Sequence, residues 1–413
     1  MRFGFRLFAW LLCFAAGVQA QLRPVLPQQA PTASDALGSP GIDAGDYVYV
    51  SGQGPRRPDG TIPANFVDQV RQSLENVRSV VEAAGLTMDH VVYVQVYLDD
   101  ISNYETLNSA FADYFSKTPP ARAVLGVARL PEPPLQITAV AVRDLKGKQP
   151  VAPSNFKPSK AFSAGMLTHD RLFVSTMLGS NPSDGKVPAA PAAQVDFALD
   201  RLRMVAEAAG LTLSNMVFVN PYLTSDIPMR IMNEHYARRF EFGNTPARAT
   251  IEVSSLPEGA HIAYTGVAVR DVSQRRAIRP KNMPPSPTAS PCVFAGDTLY
   301  CSAKSGFIPG PNGGVFAAAT VDQVRQTMRN QLDNLEEADM KFDQVVSTTI
   351  YLDDLSELAA FGKVYRKYFN GGLLPAQTVV QQIRPAERKS DEEGTYPDLE
   401  QVSLIAVRNP AKH

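Results

Sequence analysis

The chain has 413 residues, with 40 Lys+Arg against 41 Asp+Glu and a formal net charge of −1. That balance supplies no global field for nucleic acid or an acidic membrane, and three cysteines exclude a disulfide scaffold or a Cys-based zinc ribbon. A composition that is 44% hydrophobic and 20% charged is that of a globular protein, and the length allows about two to four domains.

Arg2 and Arg6 precede an apolar run over residues 7–18, which ends in Val18-Gln19-Ala20. A positive start, a short apolar core and small residues before the cut read as a secretory signal peptide over 1–20, cleaved after Ala20. The alternative is an uncleaved anchor, for which the run is short. Cys13 follows Leu12, where lipoprotein processing wants a small residue. The mature chain is therefore expected to be exported, periplasmic or secreted, with no stable membrane insertion. Residues 21–37 read as a linker.

From residue 38 the first unit runs as follows. Residues 42–51 form a hairpin turning at Gly45-Asp46. Residues 66–84 place Val67, Val70, Leu74, Val77 and Val81 at helical spacing, with Gly85 as the stop. Residues 91–98 are β-branched and apolar, hence a strand. Residues 104–115 form a second helix, capped by Asp100 or Ser102. Two more strands follow over 124–130 and 135–142. The order is ββ-α-β-α-ββ.

This unit occurs three times. Asp68-Gln69-Val70-Arg71-Gln72 recurs as Asp322-Gln323-Val324-Arg325-Gln326. Glu82-Ala83-Ala84-Gly85-Leu86 recurs 125 residues on as Glu207-Ala208-Ala209-Gly210-Leu211, and 129 residues further as Glu336-Glu337-Ala338-Asp339-Met340. Pro120-Ala121-Arg122, Pro246-Ala247-Arg248 and Pro375-Ala376-Gln377 keep the same order. Proline-rich connectors over 149–160 and 279–291 separate the units. The division is 38–147, 148–272 and 273–413. Each unit is expected to be an α+β domain whose helices cover one sheet face. The other face would be open and apolar, and must be buried. Three such faces buried together make an intramolecular pseudo-trimer, monomeric as a chain.

The runs Asp46-Tyr47-Val48-Tyr49-Val50-Ser51-Gly52-Gln53, Gln72-Ser73-Leu74-Glu75-Asn76-Val77, Glu82 to Leu86 and Pro120-Ala121-Arg122-Ala123 resemble the RidA (YjgF) family, of chorismate-mutase-like fold. The resemblance covers residues 38–410, three times over. It implies a deaminase that hydrolyses small 2-imino acids to 2-keto acids and ammonia, without metal or organic cofactor. Arg122 and Arg248 would clamp the carboxylate, since a guanidinium matches it bidentately. Ser51, Gly52, Asn108 and Gln136 in the first copy, and Ser175 and Asn233 in the second, would contact substrate. The first copy, keeping Ser51, Gly52, Asn108 and Arg122, is expected to be the best site.

Departures from the family pattern weigh against turnover. The family's water-activating Glu on the last strand aligns with Gln136, Ala263 and Gln401, and Glu400 should face the other way. The family's early Tyr aligns near Gly38, Phe162 and Ala289. Gln377 replaces the Arg in the third copy, which is expected to be structural. The alternative function is thus a non-catalytic carboxylate-binding or structural protein. The five histidines show no metal-ligand spacing. A hairpin turning at Gly296-Asp297 would bring Cys292 opposite Cys301 in a non-hydrogen-bonded pair, either as a disulfide or as two buried thiols.

Overall fold

A computed structural model describes residues 22–28, 37–115, 118–281, 283–310, 313–369 and 372–408. The signal-peptide reading, Cys13 and His413 lie outside the described residues. The first domain comprises β1 (Arg23–Val25), β2 (Gly41–Asp43), β3 (Tyr47–Gln53), α1 (Phe66–Ala83), β4 (Val91–Leu98), α2 (Tyr104–Tyr114), β5 (Ala121–Gly126) and β6 (Leu135–Val142). The second repeats it as β7 (Gln149–Val151), β8 (Gly165–Leu167), β9 (Arg171–Leu178), α3 (Pro191–Ala208), β10 (Met216–Leu223), α4 (Met229–Ala237), β11 (Ile251–Glu252) and β12 (Ile262–Val269). The third comprises β13 (Arg275–Ile278), β14 (Cys292–Ala295), β15 (Thr298–Ser305), a small hairpin β16–β17 (Ile308–Gly310, Gly313–Val315), α5 (Thr320–Glu337), β18 (Val345–Leu352), α6 (Leu358–Tyr365), β19 (Ala376–Gln381) and β20 (Glu400–Val407).

Each domain is a six-stranded sheet, in the first ordered β1-β2-β3-β6-β4-β5. Among the described strands, β4–β5 and its counterparts pair in parallel and the other sheet neighbours pair antiparallel. The helix reading holds for a local reason. Asn65 caps α1 by accepting from the Asp68 N–H at 2.9 Å, and Gly85 leaves it at φ +76°. Val70, Leu74, Val77 and Val81 are buried against the sheet. Residues 21–37, read as a linker, instead supply β1, an added edge strand that proline allows because Pro24 needs no ladder donor there. The strand expected over 124–130 begins at Ala121, so Arg122 lies within it.

The sheet face away from the helices is buried, as expected of an apolar face. Tyr97, Tyr222 and Tyr351, from equivalent places on β4, β10 and β18, share one cluster with Leu125, Ile251 and Val380. A second cluster joins Tyr47 and Tyr49 to Phe173 and Val346.

In the third domain Cys292 faces Cys301 across β14–β15, and the two are bonded, with Cα atoms 4.0 Å apart. Both are fully buried against Met328 and Leu335. Closing a loop of sequence separation 9 stabilises by about 2–3 kcal/mol in the chain-entropy account. Cys301→Ala is therefore expected to lower the unfolding free energy by that amount in denaturant titration. Alkylation of Cys292 and Cys301 in the wild-type chain is expected to require both denaturant and reductant.

Candidate active site

Arg122 on β5, Arg248 on the segment leading into β11 and Gln377 on β19 each meet a neighbouring domain through their backbone N–H. Residues Ser51-Gly52, Ser175-Thr176 and Ser302-Ala303 interrupt the pairing of β3 with β6, β9 with β12 and β15 with β20. Such a bulge re-aims a side chain. Here it turns each serine outward, onto the next domain. Ser175 Oγ accepts from the Arg122 N–H at 2.7 Å and donates to the Ser163 carbonyl at 2.6 Å. Ser302 Oγ accepts from Arg248 N–H at 2.8 Å and donates to Ser290 O at 2.7 Å. Ser51 Oγ accepts from Gln377 N–H at 2.7 Å and donates to Ser39 O at 2.5 Å.

The junctions therefore link domain one to two, two to three, and three to one. This regroups the expected residues. Ser51, Gly52 and Gln136 do not sit with Arg122; they line a cavity of about 930 Å³ with Gln377. Arg122 and Asn108 share the first junction with Ser175 and Thr176 of domain two. Arg248 and Asn233 share the second with Ser302. The error came from grouping residues by copy, whereas each cleft lies between two copies. Ser51 and Ser175, expected to touch substrate, have their protons committed to the junction.

The first cleft is a cavity of about 720 Å³ lined by Arg122, Tyr104, Phe162, Thr176, Arg201 and Glu258, among others. Arg122 is 2% exposed. Its guanidinium lies 4.8 Å from the centre of the Phe111 ring and 5.0 Å from that of Phe162. Nη2 donates to Asn108 Oδ1, and Nη1 is buried with no partner. Burial pushes the Arg122 pKa down to about 10, Tyr104 opposing the shift, so the group is cationic at neutral pH. A buried cation with a free N–H and no carboxylate in contact is a site built for an anion. Phe162 stands where the family's Tyr was expected and packs on the cation, but has no hydroxyl.

In the second cleft Arg248 Nη1 donates to Asn233 Oδ1 at 2.8 Å, with the Tyr236 ring 5.1 Å away. Burial lowers its pKa, with Tyr236 opposing. In the third, Gln377 Nε2 and Gln136 Oε1 are buried without partners. Gly52 makes room for the Gln136 amide, since a Cβ there would lie 2.3 Å from Gln136 Cδ. Leu37 fills the space beside Gly362, where the other clefts have Asn108 and Asn233.

A family model described as endoribonuclease L-PSP matches residues 27–143, 152–269 and 282–386. The chain belongs to that family. It is the family to which the sequence resemblance pointed, in three tandem copies. The 2-iminobutanoate/2-iminopropanoate deaminase of Escherichia coli (strain K12) is 41% identical over 108 residues, 25% of this chain and 84% of that protein. RutC family protein SSO3206 of Saccharolobus solfataricus is 42% identical over 106 residues, 25% of this chain and 84% of that protein. A crystal structure of E. coli TdcF with bound serine is 38% identical, covering 30% of this chain and 99% of that one, with a TM-score of 0.29.

Within this L-PSP chain, the last-strand positions carry no acid into a cleft. Ala263 packs with Tyr222 and Ile251, and Gln401 donates to Asp398 at 3.2 Å. Glu400 points the other way, under α5, where Thr327 donates to it and its second oxygen is unpartnered. His235, near Asn233 in sequence, turns to Asp196 at 3.0 Å. Sequence reasoning missed Arg201 and Glu258 because both reach the first cleft from outside the family motifs.

Burial pushes Glu400 up to about 8, with the Thr327 hydrogen bond opposing and Asp398 adding to the rise. Burial likewise raises Asp398 to about 7. The folded chain therefore holds protons that the unfolded chain releases from about pH 4.5 upward. Stability from these groups is full below that pH and is lost as pH rises through about 8. Glu400→Gln is expected to flatten the decline between pH 5 and 8.5 by about 3–5 kcal/mol, measured by urea unfolding across pH.

Proposed function

We propose that this chain is an exported deaminase that hydrolyses small 2-imino acids to 2-keto acids and ammonia at its inter-domain clefts. The observation that carries the reading is the Arg122 guanidinium, buried between two aromatic rings with Nη1 unpartnered. A substrate carboxylate completes that environment and fixes C2 in the cleft. Arg248 anchors the same group in the second cleft, with Asn108 and Asn233 orienting the two guanidiniums. Hydrolysis then needs a held substrate, a protonated imine and a water aimed at the C=N carbon. Neither metal nor organic cofactor enters that chemistry.

Support comes from the named deaminase relative, which matches one domain's length of this chain. The cyclic junctions support a chain that is its own trimer, needing no second copy. The Cys292–Cys301 bond supports an oxidising compartment. The second reading, a small-carboxylate-binding protein without turnover, is favoured by the missing acid at Gln136, Ala263 and Gln401.

The test is decay of 2-iminopropionate, generated in situ by an amino-acid oxidase, with and without the protein. Acceleration abolished in Arg122→Ala plus Arg248→Ala is expected for the enzyme. No acceleration, with pyruvate binding that Arg122→Ala plus Arg248→Ala removes, would mean the binding protein. Losing a charge-assisted pair worth about 1.5–3 kcal/mol should weaken pyruvate binding at the first cleft roughly 10- to 100-fold in Arg122→Ala, measured by calorimetry as the loss of one of two sites. Arg122→Lys should restore only part, since an ammonium cannot grip both oxygens.

A further inference from the structure

We propose that Glu258 is the general base of the first cleft, and that this cleft alone is a complete hydrolytic centre. The inference rests on the deaminase reading and names the acid which that reading lacks. The loop between β11 and β12 makes a single turn, Pro257–Gly259, at the first cleft. Glu258 lines the same cavity as Arg122 and Tyr104.

Three observations set this carboxylate apart. Its backbone is left-handed, at φ 58° and ψ 20°, a conformation costly for a non-glycine residue and concentrated at functional sites. Among the described residues no hydrogen bond or ion pair engages its side chain. It shares the cavity with Arg201 and with Tyr104, whose ring centre lies 5.8 Å from the Arg122 guanidinium.

Arg201 is itself out of pattern. On α1 and α5 the equivalent residues are Asn76 and Asn330, each donating to two carbonyls of the loop after the long hairpin strand. Arg201 performs the same clamping on the carbonyls of Ser180, at 3.1 Å, and Asn181, at 3.4 Å. In doing so it adds a cation to the wall of the cavity that Glu258 also lines.

The other clefts lack this combination. In the first domain the matching turn is Leu130-Pro131-Glu132, but Glu132 is paired with Arg56 and lines the third cleft, where Gln377 has replaced the Arg. In the third domain the turn reads Arg384-Pro385-Ala386, and the acid that follows it, Glu387, pairs with Lys389. Among the described residues, the first cleft alone joins an unpartnered Arg N–H to an unpaired carboxylate.

The step balances without a co-reactant. Arg122 holds the carboxylate of the 2-iminium acid. Glu258 takes a proton from water as its oxygen bonds to C2, and the C=N electron pair moves onto nitrogen. Glu258 then returns that proton to the amine. The C–N bond breaks as the hydroxyl oxygen forms C=O, its proton leaving with ammonia as ammonium, and Glu258 ends as a carboxylate.

The experiment measures kcat and KM for 2-iminopropionate hydrolysis, and pyruvate affinity by calorimetry, in the full chain, in Glu258→Gln and in Glu258→Asp. Because the first cleft alone is the complete centre, Glu258→Gln should lower kcat roughly 10²- to 10⁴-fold and leave KM and pyruvate affinity within about threefold, and Glu258→Asp should recover part of kcat. Unchanged kcat in Glu258→Gln overturns the assignment of Glu258 and leaves the deaminase reading standing. A fall in pyruvate affinity as large as the fall in kcat makes Glu258 a binding group and overturns the assignment also. Absence of turnover in the unaltered chain overturns the deaminase reading, and this inference with it.

Discussion

One hydroxyl at each junction holds the assembly in register. Ser51, Ser175 and Ser302 each accept from a backbone N–H of one domain and donate to a carbonyl in their own, so three segments meet at one oxygen. Both partners are backbone groups. The junction therefore places the residue after Pro-Ala without caring what its side chain is. Arg122, Arg248 and Gln377 occupy the same geometric station with different chemistry. A cleft can lose its cation while the contact between domains is unchanged. Burial of the apolar sheet faces supplies the driving force for association, and the hydroxyl sets its alignment.

Fusion into one chain permits asymmetry that three identical copies could not tolerate. Tyr47, Arg171 and Thr298 pair with Val142, Val269 and Val407, and so occupy equivalent places in the three sheets. They meet at one point. The Arg171 guanidinium lies 4.4 Å from the centre of the Tyr47 ring, donates to Thr298 Oγ1 at 2.7 Å and to Tyr300 at 3.0 Å, and pairs with Asp170. Identical chains would bring three such cations together in a buried site, with strong mutual repulsion. One Arg beside three neutral hydroxyl residues and one carboxylate escapes that repulsion. The same freedom shows along α5, whose buried face carries Gln323, Thr327, Gln331 and Asn334. The corresponding α3 positions are Gln194, Ala198, Leu202 and Val205. At Thr327 and Gln331 the third domain has exchanged apolar packing for hydrogen bonds to Glu400 and Val402, and it carries a disulfide on the facing strands.

What is local in this chain was legible from its residues. The 125- and 129-residue offsets revealed three units. Valines at helical spacing gave α1, and mirror positions about Gly296-Asp297 gave the Cys292–Cys301 pair. What was not legible is what crosses between units. Ser51 lies 71 residues before Arg122 in the same copy, yet it serves Gln377, 326 residues away in sequence. Nothing in the spacing of either says so, because the partner is set by how sheets associate. The edge strand β1 was hidden for a different reason: three residues with a central proline carry no strand period. Glu258 was hidden because its position is a matter of backbone handedness, which Pro-Glu-Gly does not announce.

These separations bear on how the clefts differ. A cleft here draws its cation from one domain and its wall from the next, so each function needs two copies to retain the right residue independently. Domain one keeps Arg122 and domain two supplies Arg201 and Glu258 opposite it. Domain two keeps Arg248, but domain three offers Ala386 at the matching turn. Domain one offers Glu132 to domain three, but Arg56 neutralises it and Gln377 provides no charge to hold a carboxylate. In a trimer of identical chains any one loss would silence all three clefts at once. In a fused chain losses fall on single clefts, and selection on activity can be met by one. The first cleft, with its aromatic-clamped cation, is where the two halves of the requirement coincide.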